Sequence, residues 1–390
     1  MKRRAVLLSK VVPTAGLLTF SLMLIAATAF PPFRLKSELQ LRPVSLLTFI
    51  FHHEENIPVT IVAGDFNGDG RPDLVVGSLW DNEYSNEISF FAGEGDGSFA
   101  APSVIRLNAR PQQIQTADFN GDGVSDVALI TKSQGPDEGN RLWVFPGSKS
   151  GLLKPSYVFP LRDEPSAVFI ADFDNDGKLD LAVSSYRSAF LVFPGRGDGT
   201  FEEPVLACRC DVSLVADFNR DHRPDLVARD GAYATVRMNR GNGTFARPST
   251  FKGQEFREPV SAGDLNGDGI ADLVFSNRLA QGISIYLGNG DGTFRASGSL
   301  AARDAVSAVR IADLDGDGFP DILATVWRRT SGELWIFPGS GNGAFRSPVP
   351  IRTGYTPSDM CVADFNLDRK PDVAVSSEGA LSVSIFLQTR

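Results

Sequence analysis

One nine-residue pattern recurs seven times in this chain and constrains its fold more than any other feature. The copies are DFNGDGRPD (65–73), DFNGDGVSD (118–126), DFDNDGKLD (172–180), DFNRDHRPD (217–225), DLNGDGIAD (264–272), DLDGDGFPD (313–321) and DFNLDRKPD (364–372). Their first aspartates stand 53, 54, 45, 47, 49 and 51 residues apart. A period near 50 marks a repeat architecture, in which each unit buries its apolar face against the next. It overrides the two or three domains that 390 residues would otherwise suggest.

Every unit has the same grammar. A short apolar piece precedes the acidic loop (TIVAG, IQTA, VFIA, SLVA, VSAG, VRIA, MCVA), and the residue just before the first Asp is always Gly or Ala. Small residues there suit an inner strand crowded by its neighbours. A second run follows the loop, as in DLVVGS or DILATV, then a variable loop and a third run such as LWVFPG or SIYLG. Six third runs lead into a Gly-rich turn such as GEGDGSF, whose Phe is expected to open a fourth run. Such β-prone segments between turn signals read as strands, and no unit holds a helical pattern. Four strands per unit, seven times over, predict an all-β, seven-bladed β-propeller with blade loops starting at 65, 118, 172, 217, 264, 313 and 364. The seventh unit ends after its third strand, at SVSIFLQTR. The segment PVSLLTFIF (43–51) is expected to complete that blade and close the ring, leaving no open edge. The propeller would then span 43–390 behind a linker at 30–42.

The N-terminus has another character. MKRRAVLLSK precedes an apolar run that ends near Ala27-Thr28-Ala29, an A-x-A cleavage pattern. Residues 1–29 are expected to be a signal peptide or a single retained membrane anchor. Either places the body outside the cytoplasm: secreted, periplasmic or on the cell surface. Those residues hold four cations and no acid, so the chain's net charge of −9 leaves −13 on the rest. An acidic body argues against nucleic acid as a partner and suits bound cations.

The loops offer hard oxygen ligands at alternate positions. Positions one, three and five are Asp, Asn or Asp, and Asp; position nine is Asp, and position six is Gly in five copies. Calcium takes six to eight such oxygens, and a glycine lets the backbone turn around it. The competing reading is an Asx-type turn, in which the same side chains only bind their own backbone. Three or four carboxylates clustered seven times repel one another unless a cation is present, which favours calcium. The expected ligands are Asp65, Asn67, Asp69 and Asp73; Asp118, Asn120, Asp122 and Asp126; Asp172, Asp174, Asp176 and Asp180; Asp264, Asn266, Asp268 and Asp272; and Asp313, Asp315, Asp317 and Asp321. Loops three and six have four carboxylates and should bind tightest. Loop four (Asp217, Asn219, Asp221, Asp225) carries Arg220 and His222 in place of the turn glycines, and loop seven (Asp364, Asn366, Asp368, Asp372) carries Leu367 and Arg369. Positive charge and lost glycine argue for weaker binding there, so about five sites are expected, and seven if both of these also fill.

The pattern D-x-[ND]-x-D-G-x-x-D, matched in full by five copies, resembles the FG-GAP/VCBS repeat family, as do FFAGEGDGSF, VFPGRGDGTF and IYLGNGDGTF. The same units form the head of integrin alpha chains. The resemblance covers about residues 59–390 and implies a seven-bladed ring with calcium in the hairpin between strands one and two. It leaves the activity open, because such propellers include adhesion receptors, lectins and enzyme-associated domains.

A partner surface is sought on the face opposite the acidic loops, where the connections do not repeat. Trp80, Tyr84, Tyr186 and Trp327 lie there, with connector arginines Arg110, Arg162, Arg257, Arg303 and Arg352 that either face an anionic or carbohydrate partner or pair with nearby acids. The expected partner is an extracellular protein or carbohydrate. Arg196-Gly197-Asp198 falls within a Gly-rich turn and reads as turn chemistry. No H-E-x-x-H, G-x-S-x-G, phosphate-loop or dinucleotide fingerprint is present. Carboxylate-only glycoside cleavage and a structural assembly role stay open as alternatives. Of three cysteines, Cys208 and Cys210 are expected to stand too close to pair, and Cys361 to be buried in a first strand.

Overall fold

A computed structural model describes residues 40–45, 56–80, 86–133, 139–151, 154–186, 189–230, 233–251, 260–277, 282–302, 304–328 and 330–389. The expected export segment (1–29) lies outside these, as do Tyr84, Arg257, Arg303 and the side chain of Trp80. Among the described residues no helix is long and apolar enough to cross a membrane.

The strands form seven antiparallel sheets of four, six of them running in sequence order. Blade one comprises Asn56–Gly64, Asp73–Trp80, Asn86–Phe91 and Ser103–Leu107. Blades two to six repeat this over residues 110–161, 165–208, 211–251, 260–301 and 305–353. Blade seven takes Pro357–Ala363, Asp372–Ser377 and Ser382–Thr389 from the C-terminus. Its fourth strand is Gln40–Ser45, antiparallel to the last strand from Gln40 opposite Thr389 to Ser45 opposite Ile385. The closing strand is thus the N-terminal one, starting three residues before the expected position 43; residues 46–51 lie outside the described ones.

Each first strand packs against the first strands of both neighbouring blades, and that of blade seven returns to blade one. The ring is therefore lined by first strands. A small residue before the loop suits this crowding: a Cβ on Gly263 would lie 3.1 Å from Ile311 Cγ2 on the first strand of blade six. Second strands such as Asp180–Ser185 are buried at every residue, because neighbouring blades cover both faces. That is why they read as continuous apolar and small runs, without alternation. Seven buried apolar clusters fill the seven gaps between blades. Fully burying a Phe or Leu contributes roughly 1.5–3 kcal/mol, so these gaps hold most of the cohesion of the ring.

One strand expectation is corrected. The turn phenylalanine does not open the fourth strand in four blades: Phe99, Phe201, Phe245 and Phe345 make isolated bridges back to the end of the third strand. Regular pairing resumes only after Pro102, Pro204, Pro248 and Pro348, which have no N–H to offer a ladder. Blade five has no proline there, and its fourth strand runs unbroken from Phe294 to Ala301. The cysteine expectation is corrected too. Cys208 and Cys210 form a disulfide across the bend between blades three and four, which brings their Cα atoms 5.6 Å apart, within disulfide range.

Candidate metal loops and the opposite face

Each acidic loop is first a turn held by its own side chains. In loop one Asp65 accepts the N–H groups of Gly68 (2.7 Å), Asp69 (3.1 Å) and Gly70 (2.8 Å). Asn67 accepts from Asp69 N–H, and Asp69 from Arg71 N–H, both at 2.9 Å. Loop five repeats the set through Asp264, Asn266 and Asp268. The Asx-turn reading therefore describes the loop geometry, and among the described residues only loops three and six also gather three carboxylates together.

The residue at position three separates the loops. In three of the five loops where it is asparagine, its amide donates to the carboxylate at position five: Asn67 to Asp69 (3.2 Å), Asn219 to Asp221 (3.1 Å) and Asn266 to Asp268 (3.0 Å). An aspartate cannot donate when ionised. In loops three and six, Asp172, Asp174 and Asp176, and Asp313, Asp315 and Asp317, each bring one oxygen within 4.8 Å of the others. Burial, with the adjacent Asp176 and Asp317 charges second, pushes Asp174 and Asp315 above the ordinary carboxylate range. Hard oxygens at this spread fit a divalent cation, whose ligands stand at 2.3–2.6 Å for calcium. The two clusters are able to chelate one.

Position nine behaves differently. Asp73 is fully buried; its Oδ2 accepts Phe66 N–H (3.0 Å) and its Oδ1 accepts Gly93 N–H (2.8 Å) from the start of the Gly-rich turn. The same two bonds recur at Asp126, Asp180, Asp225, Asp272, Asp321 and Asp372. Burial pushes Asp73, Asp180, Asp225, Asp272, Asp321 and Asp372 up to about 6, against the pull of these backbone donors. Asp126 moves the same way. These residues pin loop to turn within a blade, and the clusters at positions one, three and five do not include them.

Position two joins neighbouring blades. The carbonyls of Phe66, Phe119, Phe173, Leu265 and Phe365 accept N–H groups from the Gly-rich turn of the following blade, with blade one following blade seven. The rings do likewise: Phe99 packs on Phe365, Phe201 on Phe119, Phe245 on Phe173 and Phe294 on Phe218. The acidic loops are therefore joints of the ring. Asp198 of the Arg-Gly-Asp tripeptide accepts both N–H (2.9 Å) and Oγ1–H (2.6 Å) of Thr200, and so serves its own turn.

Loops four and seven keep the shared backbone without its glycines. Arg220 (φ +62°), His222 (+63°), Leu367 (+58°) and Arg369 (+68°) occupy the left-handed region that Gly68 (+71°) and Gly70 (+80°) occupy in loop one. Arg220 leaves its own loop. Its Nε donates to Gly269 O of loop five (3.1 Å), and a terminal nitrogen stands 3.9 Å from Asp268.

The opposite face carries Trp327 at the end of the second strand of blade six. It is exposed and meets exposed Tyr355 edge-on, with ring centroids 6.5 Å apart. Tyr355, which sequence reading missed, lies in the connector to blade seven. Tyr186 and Arg162 are exposed, and Arg110 starts the first strand of blade two. Arg352 lies on the outer strand of blade six, opposite Glu333, and not in a connector. Inside the ring, Asp359 of blade seven accepts from Arg310 of blade six (2.8 Å) and from Thr60 Oγ1 and Ile61 N–H of blade one (both 3.3 Å), tying three first strands. An aspartate in the apolar piece PSDMCVA was the available signal.

Comparisons with known proteins agree with this architecture. Residues 65–129, 118–183, 217–275 and 264–324 match the FG-GAP-like repeat. Human integrin alpha-7 is 28% identical over an alignment of 177 residues that covers 40% of this chain, and human integrin alpha-IIb is 26% identical over an alignment of 149 residues that covers 33% of it. In each case the match covers 14% of the integrin chain, so this protein spans a small part of those relatives. Among solved structures, an Agrocybe aegerita lectin that recognises non-reducing terminal N-acetylglucosamine superposes with a TM-score of 0.59 at 20% identity, over 83% of this chain and 87% of the lectin. The BP39L lectin of Burkholderia pseudomallei gives 0.63 at 14% identity, over 86% and 96%. At these identities the likeness is one of fold.

Proposed function

This chain belongs to the FG-GAP-like repeat family, and from that premise we propose that it is an exported recognition propeller, stabilised by calcium on one face and binding a carbohydrate or protein partner with the other. The observation that carries the calcium half is the pair of carboxylate clusters in loops three and six. In this reading positions one, three and five hold the ion, position nine braces each loop from the buried side, and the other loops fill according to their charge. Bound calcium would neutralise repelling carboxylates at the joints between blades, which makes its role structural.

The partner half draws support from Trp327 and Tyr355, two large exposed rings in contact on the non-repeating face. Aromatic faces of this kind stack on sugars and anchor protein interfaces. The resemblance to integrin alpha chains and to lectin propellers supports the same reading. Export follows from the basic, then apolar, N-terminus.

Calorimetric titration of chelator-treated protein tests the first half: calcium uptake with a rise in unfolding temperature is expected, and neither being seen would defeat it. A glycan array and a pull-down against extracellular proteins test the second, with Trp327→Ala abolishing any capture observed. Capture unaffected by that change would move the partner site elsewhere.

A further inference from the structure

Loops three and six present the same four carboxylates, and charge alone would make them equal. We propose that Arg346 makes them unequal: it is a resident counter-cation of loop six that calcium must displace, so that loop three fills first. This rests on the calcium reading above.

Arg346 is the first residue beyond the Gly-rich turn of blade six. Its N–H donates to Pro338 O (2.9 Å), which fixes where the side chain departs. Its guanidinium then lies across the acidic cluster, 3.3 Å from Asp315 Oδ2 and 3.6 Å from Asp317 Oδ2. Those are positions three and five, two of the three groups that converge there. The Asp315 side chain is only 10% exposed beneath it.

In blade three the equivalent residue is Glu202, whose N–H makes the same bond to Pro194 O (2.8 Å). The backbone is conserved between the two turns while the charge is reversed. Glu202 stands 3.8 Å from Arg196. Loop three does have a cation, Lys178, 2.8 Å from Asp176. It engages one carboxylate where Arg346 spans two, and its ammonium is a single charge on a flexible stem rather than a planar fork.

A unit charge a few ångströms from a partly solvated ion changes its binding by about tenfold. Calcium titration of the full chain by calorimetry should therefore show R346A tightening one site about tenfold. The gain should vanish in the double variant R346A/D315N, where loop six is dismantled. No tightening in R346A, or tightening that persists alongside D315N, would overturn the proposal. Thermal unfolding gives a second readout. In chelator R346A should unfold at lower temperature than the parent protein, because Asp315 and Asp317 lose their partner. In saturating calcium that difference should disappear. An equal loss in both conditions would mark Arg346 as an ordinary structural residue and also overturn it. If no variant takes up calcium at all, the calcium reading falls, and this proposal with it.

Discussion

Loops one and four differ at two positions only. DFNGDGRPD and DFNRDHRPD share seven residues of nine, with Gly68 and Gly70 replaced by Arg220 and His222. The hydrogen bonds are nearly superimposable: Gly70 N–H to Asp65 and His222 N–H to Asp217 are both 2.8 Å. Phe66 N–H to Asp73 is 3.0 Å, and Phe218 N–H to Asp225 is 3.1 Å. Loop four keeps the conformation although left-handed backbone costs about 1–2 kcal/mol for each non-glycine residue. The difference teaches that glycine eases the loop without determining it. What determines it is the set of side-chain acceptors, the buried Asp at position nine and the packing of the position-two ring.

The largest expected effect acts on all seven loops alike. Burial raises Asp73 and Asp225 from the ordinary 3.8 to about 6. A raised carboxylate means that the folded chain holds protons which the unfolded chain has released between about pH 4 and pH 6. The stability these groups contribute is present below that window and is lost as pH rises through it. Chelated protein should therefore have a lower urea midpoint at pH 6.5 than at pH 4.5. Added calcium should restore stability chiefly at the higher pH, where the carboxylates are charged. A midpoint that rises with pH in chelator would contradict the burial argument.

Next in size is removal of the pin. Asp73→Ala and Asp225→Ala each strand two buried N–H groups, at about 1–3 kcal/mol for each unsatisfied group. Losses of about 2–6 kcal/mol are expected, equal in the two loops because glycine plays no part in the pin. Denaturant unfolding measures both; a clear inequality would show that the strained loop leans on its pin more than its twin does.

How much of this was legible in the sequence depends on the range of the interaction. The repeat, the strand order, the ring and the closing strand all rest on local patterns: turn residues, β-prone runs and a missing fourth strand. The start of the fourth strand was misjudged although Pro102 and its equivalents were in view, since a Phe after a turn looks like a strand residue until its pairing is known. Counting carboxylates could not reveal that Asp73 already accepts two backbone N–H groups, one of them from Gly93, 20 residues away. Nor could it connect Arg346 with Asp315, 31 residues apart, or Tyr355 with Trp327, because those meetings depend on how a turn or connector crosses the sheet.

Smaller effects test the glycines directly. Around Gly70 a Cβ would meet nothing within 4 Å, so Gly70→Ala isolates backbone strain and should cost about 1 kcal/mol. His222→Gly, the reverse change in the twin loop, should gain rather less, about 0.5–1 kcal/mol, because glycine also loses more freedom on folding. Opposite signs are the expected result. Two losses would mean that the His222 side chain contributes more than its backbone strain removes.

The smallest change separates strain from charge. Arg220 carries the same kind of strained φ as His222, but it also donates to Gly269 O and faces Asp268 in the next loop. With the Arg220 side chain 50% exposed, that surface link contributes about 0–1 kcal/mol. Arg220→Gly should therefore stabilise less than His222→Gly, by no more than about that amount, when thermal unfolding of both is followed at low salt. Raising the salt should screen the Asp268 attraction and bring the two variants together. If they already coincide at low salt, Arg220 is not a tie between loops four and five, and strain alone accounts for the difference between loop one and its twin.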